Sequence, residues 1–357
     1  MWKPITYSNE HLLEMLKMTR ENYGADNDIA KRDFIEHQYF ENPAGDAVID
    51  LAWDDHKQRL AGQYVVWPMR FWVQNKLQLC AHSLNTLTRT DYRGQGIFTG
   101  LAERTYAREI TLGHGFCYGT PNPNSYSGFI NKLVFSEIGQ TPLYLRPLNP
   151  ATMLKEFLGH KWLSSLAKPL NIFWKVNKIK EKGNIKIVCV TEKNLALVDS
   201  LWNKICGKYP VMNIRDSLYV KFRYLNMPHR IYYPYLVLRG GVPVAFAVGR
   251  IMNVAGMQCG MLADFMFAGG CEAQAKILLS FMLRLLQTKG ASVAGSLMLA
   301  HTQEAAILRK CGFLRCPKKL EPQPFPLIVR LFDESLKEKG VLDIQNWFFT
   351  MGDYDVI

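Results

Sequence analysis

Apolar side chains recur along the first half of the chain with two kinds of spacing. Three extended runs, near 47–54, 60–73 and 77–90, are separated by the polar segments Asp54-Asp55 and Gln74-Asn75-Lys76. Such runs, bounded by turn-forming residues, predict strands, here joined as an antiparallel meander. Helical spacing and short extended stretches predict the remaining elements. These are a strand from Ile5, helices over 9–22 and 29–40, a helix from about 97 to 113, a strand over 116–119, a helix over 124–133 and a strand over 135–145.

The second half of the chain repeats this order of elements. It contains a strand over 185–190, helices over 195–205 and 216–224, strands over 232–238, 242–252 and 256–267, a helix over 273–288, a strand over 293–299 and a helix over 304–309. The repetition indicates a duplicated unit. We predict an α+β (α/β/α-like) fold of two tandem domains, each a mixed, largely antiparallel sheet flanked by helices. The predicted domains are 1–149 and 184–357, joined by a basic amphipathic linker at 150–183.

The junction between the third meander strand and the following helix carries the most specific signal. Arg93-Gly94-Gln95-Gly96 separates the extended run from a helix with an apolar face that begins at Phe98. N–H groups at the start of a helix have no acceptor within the helix and bind anions. Glycines let a phosphate approach the backbone, and arginine adds a fixed positive charge. The stretch therefore predicts a cradle for a diphosphate. At the same junction of the second copy, Phe267-Ala268-Gly269-Gly270-Cys271 has no arginine, so we expect only the first copy to bind a phosphate-bearing cofactor.

Composition and charge narrow the class of protein. Of the 357 residues, 48% are apolar, which suits globular cores, and no window reaches the ~18 consecutive apolar residues of a membrane span. We expect a cytoplasmic protein without a metal site, because no apolar secretory segment begins the chain and its eight cysteines form no Cys-x-x-Cys pair. The formal charge of +12 favours phosphate-bearing small molecules, and no nucleic-acid-binding signature accompanies it. The segment 150–182 holds seven lysines and two glutamates among its aromatic residues. It is interpreted as an interdomain linker, with contact to a membrane surface as the alternative.

Three side chains are candidates for proton transfer. His82 lies on the strand that leads into the glycine turn, and Asp264 lies on the corresponding strand of the second copy. Either can act as the general base that an attacking amine requires, and Tyr126 is a candidate proton donor. All three also have a structural interpretation, as hydrogen-bonding or half-buried residues. Asn124 is interpreted as the cap of the helix over 124–133, or as a contact to a ligand. Signatures of serine and zinc hydrolases, P-loop proteins and dinucleotide-binding proteins are missing or incomplete.

Two motifs together resemble the GNAT superfamily of acyl-CoA-dependent N-acyltransferases. They are Asp91-Tyr-Arg-Gly-Gln-Gly-Ile97 after the meander, and Asn124 followed by Lys132-Leu-Val-Phe135. The chain departs from the family pattern in three places: Asp91 replaces the usual glutamine or arginine, the family's proton-donating tyrosine aligns with Ile130, and its glycine aligns with Val134. In the second half, Gln303 to Phe313 resembles the later motif without a cofactor loop before it. The resemblance thus covers nearly the whole chain, as a tandem pair with a degenerate second copy.

The resemblance implies acyl-CoA as a co-substrate and no metal. Backbone groups near Leu87 and Thr88 would pair with the pantetheine amides, and the diphosphate would rest on N–H groups from Arg93 to Phe98. His82 is the preferred base, Asp264 the second choice and Tyr126 the candidate acid. The predicted cofactor-binding residues are Leu87, Thr88, Arg93, Gly94, Gln95, Gly96, Ile97, Phe98, Asn124 and Lys132.

Other features resemble the bacterial sugar N-acyltransferases of surface-polysaccharide biosynthesis. These are the Asn-Pro-Asn-Ser-Tyr loop at 122–126, the two-domain length and the ending from Asn346 to Ile357. The implied acceptor is a small-molecule amine, a nucleotide-linked amino sugar. Asp353 and Asp355 are left open as sugar contacts or strand caps. Three alternatives also stay open: a Fem-like aminoacyl or peptidyl transferase, an acetyltransferase of antibiotics or small amines, and a non-catalytic CoA-binding or membrane-associated scaffold.

Overall fold

The computed structural model describes residues 1–153, 184–254 and 256–354. The strands are β1 (Trp2–Thr6), β2 (Val48–Asp54), β3 (Arg59–Val73), β4 (Lys76–Thr88), β5 (Phe116–Gly119), β6 (Ser136–Gln140), β7 (Leu143–Pro147), β8 (Ile185–Cys189), β9 (Val211–Asn213), β10 (Tyr232–Arg239), β11 (Val242–Val254), β12 (Met257–Phe267), β13 (Val293–Leu297), β14 (Leu314–Arg315), β15 (Pro326–Leu331) and β16 (Trp347–Phe348). The α-helices are α1 (Leu12–Tyr23), α2 (Arg32–Phe40), α3 (Ile97–Thr111), α4 (Pro123–Lys132), α5 (Ala196–Ile205), α6 (Ser217–Val220), α7 (Glu272–Thr288), α8 (Gln303–Lys310) and α9 (Ser335–Glu338). Most of the predicted linker, 154–183, lies outside the described residues, and with it the question of membrane contact.

The two halves build sheets with the same strand order. The main path of the first, nine-stranded sheet runs β1-β2-β3-β4-β5-β15-β6, with β9 and β16 off this path, and the second sheet runs β8-β10-β11-β12-β13-β7-β14. In each, a three-stranded antiparallel meander is followed by one parallel pair, β4 with β5 and β12 with β13. The prediction of two similar mixed sheets is therefore confirmed.

The main path of each sheet includes a strand from outside its own copy. β15 pairs antiparallel with β5 in the first sheet, and β7 pairs antiparallel with β13 in the second. The single strand predicted over 135–145 is accordingly wrong. It is two strands, β6 and β7, that belong to different sheets. They part at Thr141-Pro142, because proline has no N–H to continue a ladder.

This arrangement makes both compact units discontinuous in sequence. The first comprises 1–139, 227–230 and 323–346, and the second comprises 140–226, 231–322 and 347–357. The division differs from the contiguous halves predicted at 1–149 and 184–357, since each unit includes a strand from beyond its own repeat.

The core of the first unit lies between its sheet and the helix that follows β4. Leu101, Ala102 and Tyr106 of α3 are buried against Tyr64 and Ala81 of the sheet. Each fully buried side chain of this size contributes about 1.5–3 kcal/mol. This packing fixes the axis of α3, and therefore the position of its N-terminus at the end of β4. In the part of the chain that the structure covers, no helix is long and apolar enough to cross a membrane.

Candidate functional site

The loop between β4 and α3 has the conformation that its glycines predict. Gly94 and Gly96 have φ angles of 79° and 78°, and no heavy atom lies within 4 Å of the place a Cβ would take. The requirement for glycine is thus conformational, since other residues are strained in this region. Residues 93–96 are all exposed, and α3 begins directly after them at Ile97.

The N-terminus of α3 is left open by its own sequence. Gly96 is the N-cap and offers no side chain, and the first turn contains no acidic residue. By contrast, α4 is capped by Asn122, whose Oδ1 accepts hydrogen bonds from the backbone N of Asn124 (2.9 Å) and Ser125 (3.2 Å). The first N–H groups of a helix lack acceptors and carry the positive end of its dipole. The predicted cradle is therefore present as geometry, with Arg93 beside it.

Contacts beneath the loop hold it in place, and sequence reasoning missed them. Asp91, noted only as a departure from the family pattern, forms ion pairs with Arg59 and with Lys57 (3.5 Å). The Tyr92 hydroxyl donates to Asp54 Oδ2 at 2.5 Å, and this bond lowers the pKa of Asp54 to about 2. The loop is thus anchored by charged hydrogen bonds on the side away from its exposed backbone.

The pairing between β3 and β4 is irregular close to the loop. Gln63 pairs with Leu87 and Val65 pairs with Leu84, so that Asn85 and Thr86 form a bulge opposite one residue of β3. The ladder between β4 and β5 consists of Ala81–Cys117 and His82–Tyr118. Beyond it β4 continues to Thr88 with no further ladder to β5 in the described chain. Leu87 and Thr88 lie on this segment, which has a ladder to β3 and none to β5 among the described residues. Bulges of this kind are common beside active sites.

His82 lies at the last position at which β4 pairs with β5. It is 1% exposed, and its imidazole stacks on the ring of Tyr118, with centroids 4.3 Å apart and an interplanar angle of 7°. The structure thus places it next to the point where β4 and β5 part. Its role as a base stays a prediction.

Asp264 has a different position and different contacts. It pairs with Val248 directly beyond a bulge in β12, which makes it the register equivalent of Leu87 and not of His82. Oδ2 accepts from Arg215 Nε (2.8 Å) and the Tyr224 hydroxyl (3.0 Å). Oδ1 accepts from Thr350 Oγ1 (3.1 Å) and the backbone N of Phe265 (3.2 Å).

These contacts make Asp264 part of a buried network. Burial raises the pKa of Asp264 and the adjacent Arg215 opposes that shift. Arg215 Nη2 also donates to Asp353 Oδ2 at 2.6 Å, and all three charged side chains are fully buried or nearly so. Because four donors occupy the carboxylate, Asp264 must release one of them before it can accept a proton. Asp353, left open in the sequence as a sugar contact or a cap, belongs to the same network. Asp355 lies outside the described residues.

The residues predicted on α4 are close to the loop. The ring of Phe98 packs edge-on against Phe129 with centroids 5.3 Å apart. The Tyr126 hydroxyl donates to Glu137, and this hydrogen bond raises the pKa of Tyr126. Lys132 is exposed at the end of the helix.

The cap predicted at Asn124 is wrong, because α4 begins one residue earlier. Pro123 occupies the first helical position, where its missing N–H costs nothing, and Asn122 caps the helix. The Asn-Pro order was a readable signal for this start. Asn124, freed from capping by its side chain, is exposed.

Comparison with known proteins identifies the fold. No family model matches the chain, and no curated protein matches its sequence. It is similar to the N-myristoyltransferase of Saccharomyces cerevisiae with bound myristoyl-CoA, with a TM-score of 0.64 and 11% identity over 92% of this chain and 82% of that one. A GCN5-related N-acetyltransferase from Anabaena variabilis gives a TM-score of 0.63 and 11% identity over 93% and 73%. A GCN5-related glucosamine N-acetyltransferase region of a fungal multi-domain GH3 β-N-acetylglucosaminidase gives 0.56 and 11% over 92% and 38%. The chain has the tandem GNAT fold, as predicted.

Proposed function

We propose that the protein is an acyl-CoA-dependent N-acyltransferase whose donor site lies in the first unit. The observation that carries the proposal is the open N-terminus of α3 behind Gly94 and Gly96, with Arg93 beside it and no acidic residue in the first turn. Each anionic group placed there gains about 0.3–1 kcal/mol from the helix dipole. The diphosphate of CoA supplies two such groups, and the neighbours of the same fold include an enzyme with bound myristoyl-CoA.

The remaining groups fit a direct transfer. The pantetheine arm would lie along β4 at Leu87 and Thr88, which places the thioester near the bulge at Asn85. The acceptor nitrogen then attacks the thioester carbonyl, the C–N bond forms, the C–S bond breaks and CoA leaves as a thiolate that takes up a proton. Holding both reactants in the same unit beside β4 makes the step effectively unimolecular. His82 is the preferred base for the proton that the amine loses, and Tyr126 is the candidate acid for the thiolate.

For the acceptor we propose the amino group of a nucleotide-linked amino sugar. Two observations support this choice: the Asn-Pro-Asn-Ser-Tyr loop at 122–126, and the presence of a glucosamine N-acetyltransferase region among proteins of the same fold. The net charge of +12 suits a phosphate-bearing acceptor.

Calorimetric titration with acetyl-CoA tests the donor site. We expect Arg93→Ala to weaken binding by about 10–100-fold, since one charge-assisted hydrogen bond contributes ~1.5–3 kcal/mol. Arg239→Ala, which removes an exposed arginine at the end of β10 in the second unit, is the matched control and should bind like the wild type. Equal affinity of all three proteins would place the donor site elsewhere.

A further inference from the structure

The first unit contains a recess that the proposed donor site does not use. It lies between α1, α2 and the bulge that joins β3 to β4. Its interior has room for about one water-sized group, and its mouth is open. The residues that line it are Thr19, Tyr23, Ile29, Ile35, Tyr39, Gln63 and Asn85.

The floor of the recess holds a buried hydrogen-bond acceptor. Gln63 is 4% exposed, and its Nε2 donates to the carbonyl oxygen of Asn85 at 2.9 Å. This bond fixes the orientation of the amide, so Oε1 is the atom left over. Within the described chain, Oε1 accepts no hydrogen bond. A buried acceptor in this state favours any ligand that can donate to it.

Asn85, which also lines the recess, is held in place by hydrogen bonds. Asn85 has a φ angle of 47°, in the left-handed region that asparagine tolerates better than most residues. Its Nδ2 donates to Gln38 Oε1 (3.1 Å) and to the Tyr39 hydroxyl (2.9 Å). The bulge and the end of α2 are therefore tied together, and Gln63 is bonded to the bulge.

The side chains that line the recess favour a neutral ligand group over a charged one. None of the seven lining side chains is ionised at neutral pH; the polar ones are amides and hydroxyls, and Ile29 and Ile35 are apolar. A carboxylate or phosphate would find no cation there, and an ammonium group would find no carboxylate. A neutral group that donates one hydrogen bond is the group that fits.

From this arrangement we infer that the recess binds a neutral hydroxyl or amide group of the acceptor, which donates to Gln63 Oε1. The inference rests on the proposed function, because it assigns specificity to the acceptor side of the same unit. The bulge at Asn85 connects the recess to the strand on which the thioester would lie. A recess that favours a neutral group is compatible with a hydroxyl or amide of a sugar. It argues against an amine whose carboxylate would lie in the recess.

Ligand-observed NMR tests the inference without any CoA present. The probes are N-acetylglucosamine, which is neutral, and N-acetylglutamate, which is anionic. We expect saturation transfer to N-acetylglucosamine only. Gln63→Leu should reduce that affinity about tenfold, because the ligand donor loses its acceptor. Gln78→Leu is the matched control, since Gln78 Nε2 also donates to a backbone carbonyl of β4 but lies outside the recess.

A second variant covers the case in which Gln63→Leu does not fold. Gln63→Glu keeps an oxygen at the position of Oε1, adds a negative charge and loses the bond to the Asn85 carbonyl, so we expect it to prefer glucosamine, which carries an ammonium group, over N-acetylglucosamine. Binding of N-acetylglucosamine that is unchanged in both variants, binding of N-acetylglutamate by the wild type, or no binding of the neutral probe would each overturn the inference. Acetyl-CoA calorimetry on the same proteins separates the two proposals, because the donor site does not include Gln63.

Discussion

The two strand-to-helix junctions of this chain occupy the same place in two sheets of identical strand order, yet they differ in length and in chemistry. In the first unit the loop spans 89–96, exposes Arg93 and two glycines with positive φ, and leads into a helix with no acid in its first turn. In the second unit the loop spans 268–271, and Glu272 stands in the first turn of α7. A carboxylate there already neutralises the helix dipole. A duplicated fold thus has a helix start without an acidic residue in one copy and a helix start with one in the other.

The same contrast appears at the bulges next to these loops. In the first sheet the bulge at Asn85 borders an open recess that contains Gln63. In the second sheet Val248 takes the position of Gln63, and Asp264 takes that of Leu87. Asp264, Arg215 and Asp353 fill the space beside that bulge with a buried ionic network to the C-terminal segment. The place beside the bulge is thus filled by a buried ionic network in the second copy, whereas in the first copy it borders an open recess.

The largest expected effect separates the two candidate bases. His82→Gln should lower kcat by about 10²–10⁴-fold with little change in acetyl-CoA affinity, because a positioned base contributes that much. Asp264→Asn should leave kcat of the folded protein unchanged. The measurement is steady-state kinetics with an amino-sugar acceptor. The reverse result, with Asp264→Asn inactive, would assign the chemistry to the second copy.

Breaking the ionic network tests the structural role of the second copy. Arg215→Met leaves two buried carboxylates without their cation and should lower the free energy of unfolding by about 3–5 kcal/mol. Arg59→Met, which removes the half-buried partner of the exposed Asp91 in the first unit, should lower it by less than ~1 kcal/mol. Denaturant unfolding of the two variants gives both values. Similar losses of unfolding free energy in the two variants would contradict the structural role that we assign to the ionic network of the second copy.

A pair of glycine substitutions compares the loops directly. Gly96 and Gly270 have φ angles of 78° and 72° and open space at the Cβ position, so valine causes similar backbone strain at both. We expect Gly96→Val to raise the Kd for acetyl-CoA by about 10–100-fold, since its side chain occupies the approach to the backbone. Gly270→Val should leave the Kd unchanged. Calorimetry measures both, and an equal loss in the two variants would show that strain, and not the cradle, controls binding.

The smallest effect concerns the turn after the later motif. Val134 has a φ angle of 55° where the second copy has Gly312 at 86°. Val134→Gly should therefore stabilise the protein by up to ~1 kcal/mol, and Gly312→Val should destabilise it by about 1–3 kcal/mol. Thermal unfolding resolves both signs. A loss of stability in Val134→Gly would mean that the exposed valine makes contacts that outweigh its strain.

The local elements and the donor loop were determined by the sequence on its own. Hydrophobic spacing marks the strands and helices because one face of each must be buried, and this requirement acts within a few residues. Gly94 and Gly96 identify their turn because few other residues adopt that backbone conformation. The cap at Asn122 also depends on neighbouring residues only, because the following Pro123 is the signal that predicts it. The duplicated order of elements follows from the same short-range patterns.

Only the tertiary structure decided which strands and side chains meet. Whether 143–147 extends β6 or joins β13 depends on a free sheet edge more than a hundred residues away, and the apolar pattern of the strand suits either. The bulge at Asn85 is a mismatch of register between two strands, so neither strand shows it alone. Asp264 resembled a candidate base until Arg215, Thr350 and Asp353 were placed around it. Spacing along the chain restricts what a residue can do locally, whereas the charge and hydrogen-bond state of a buried group depend on partners brought by distant segments.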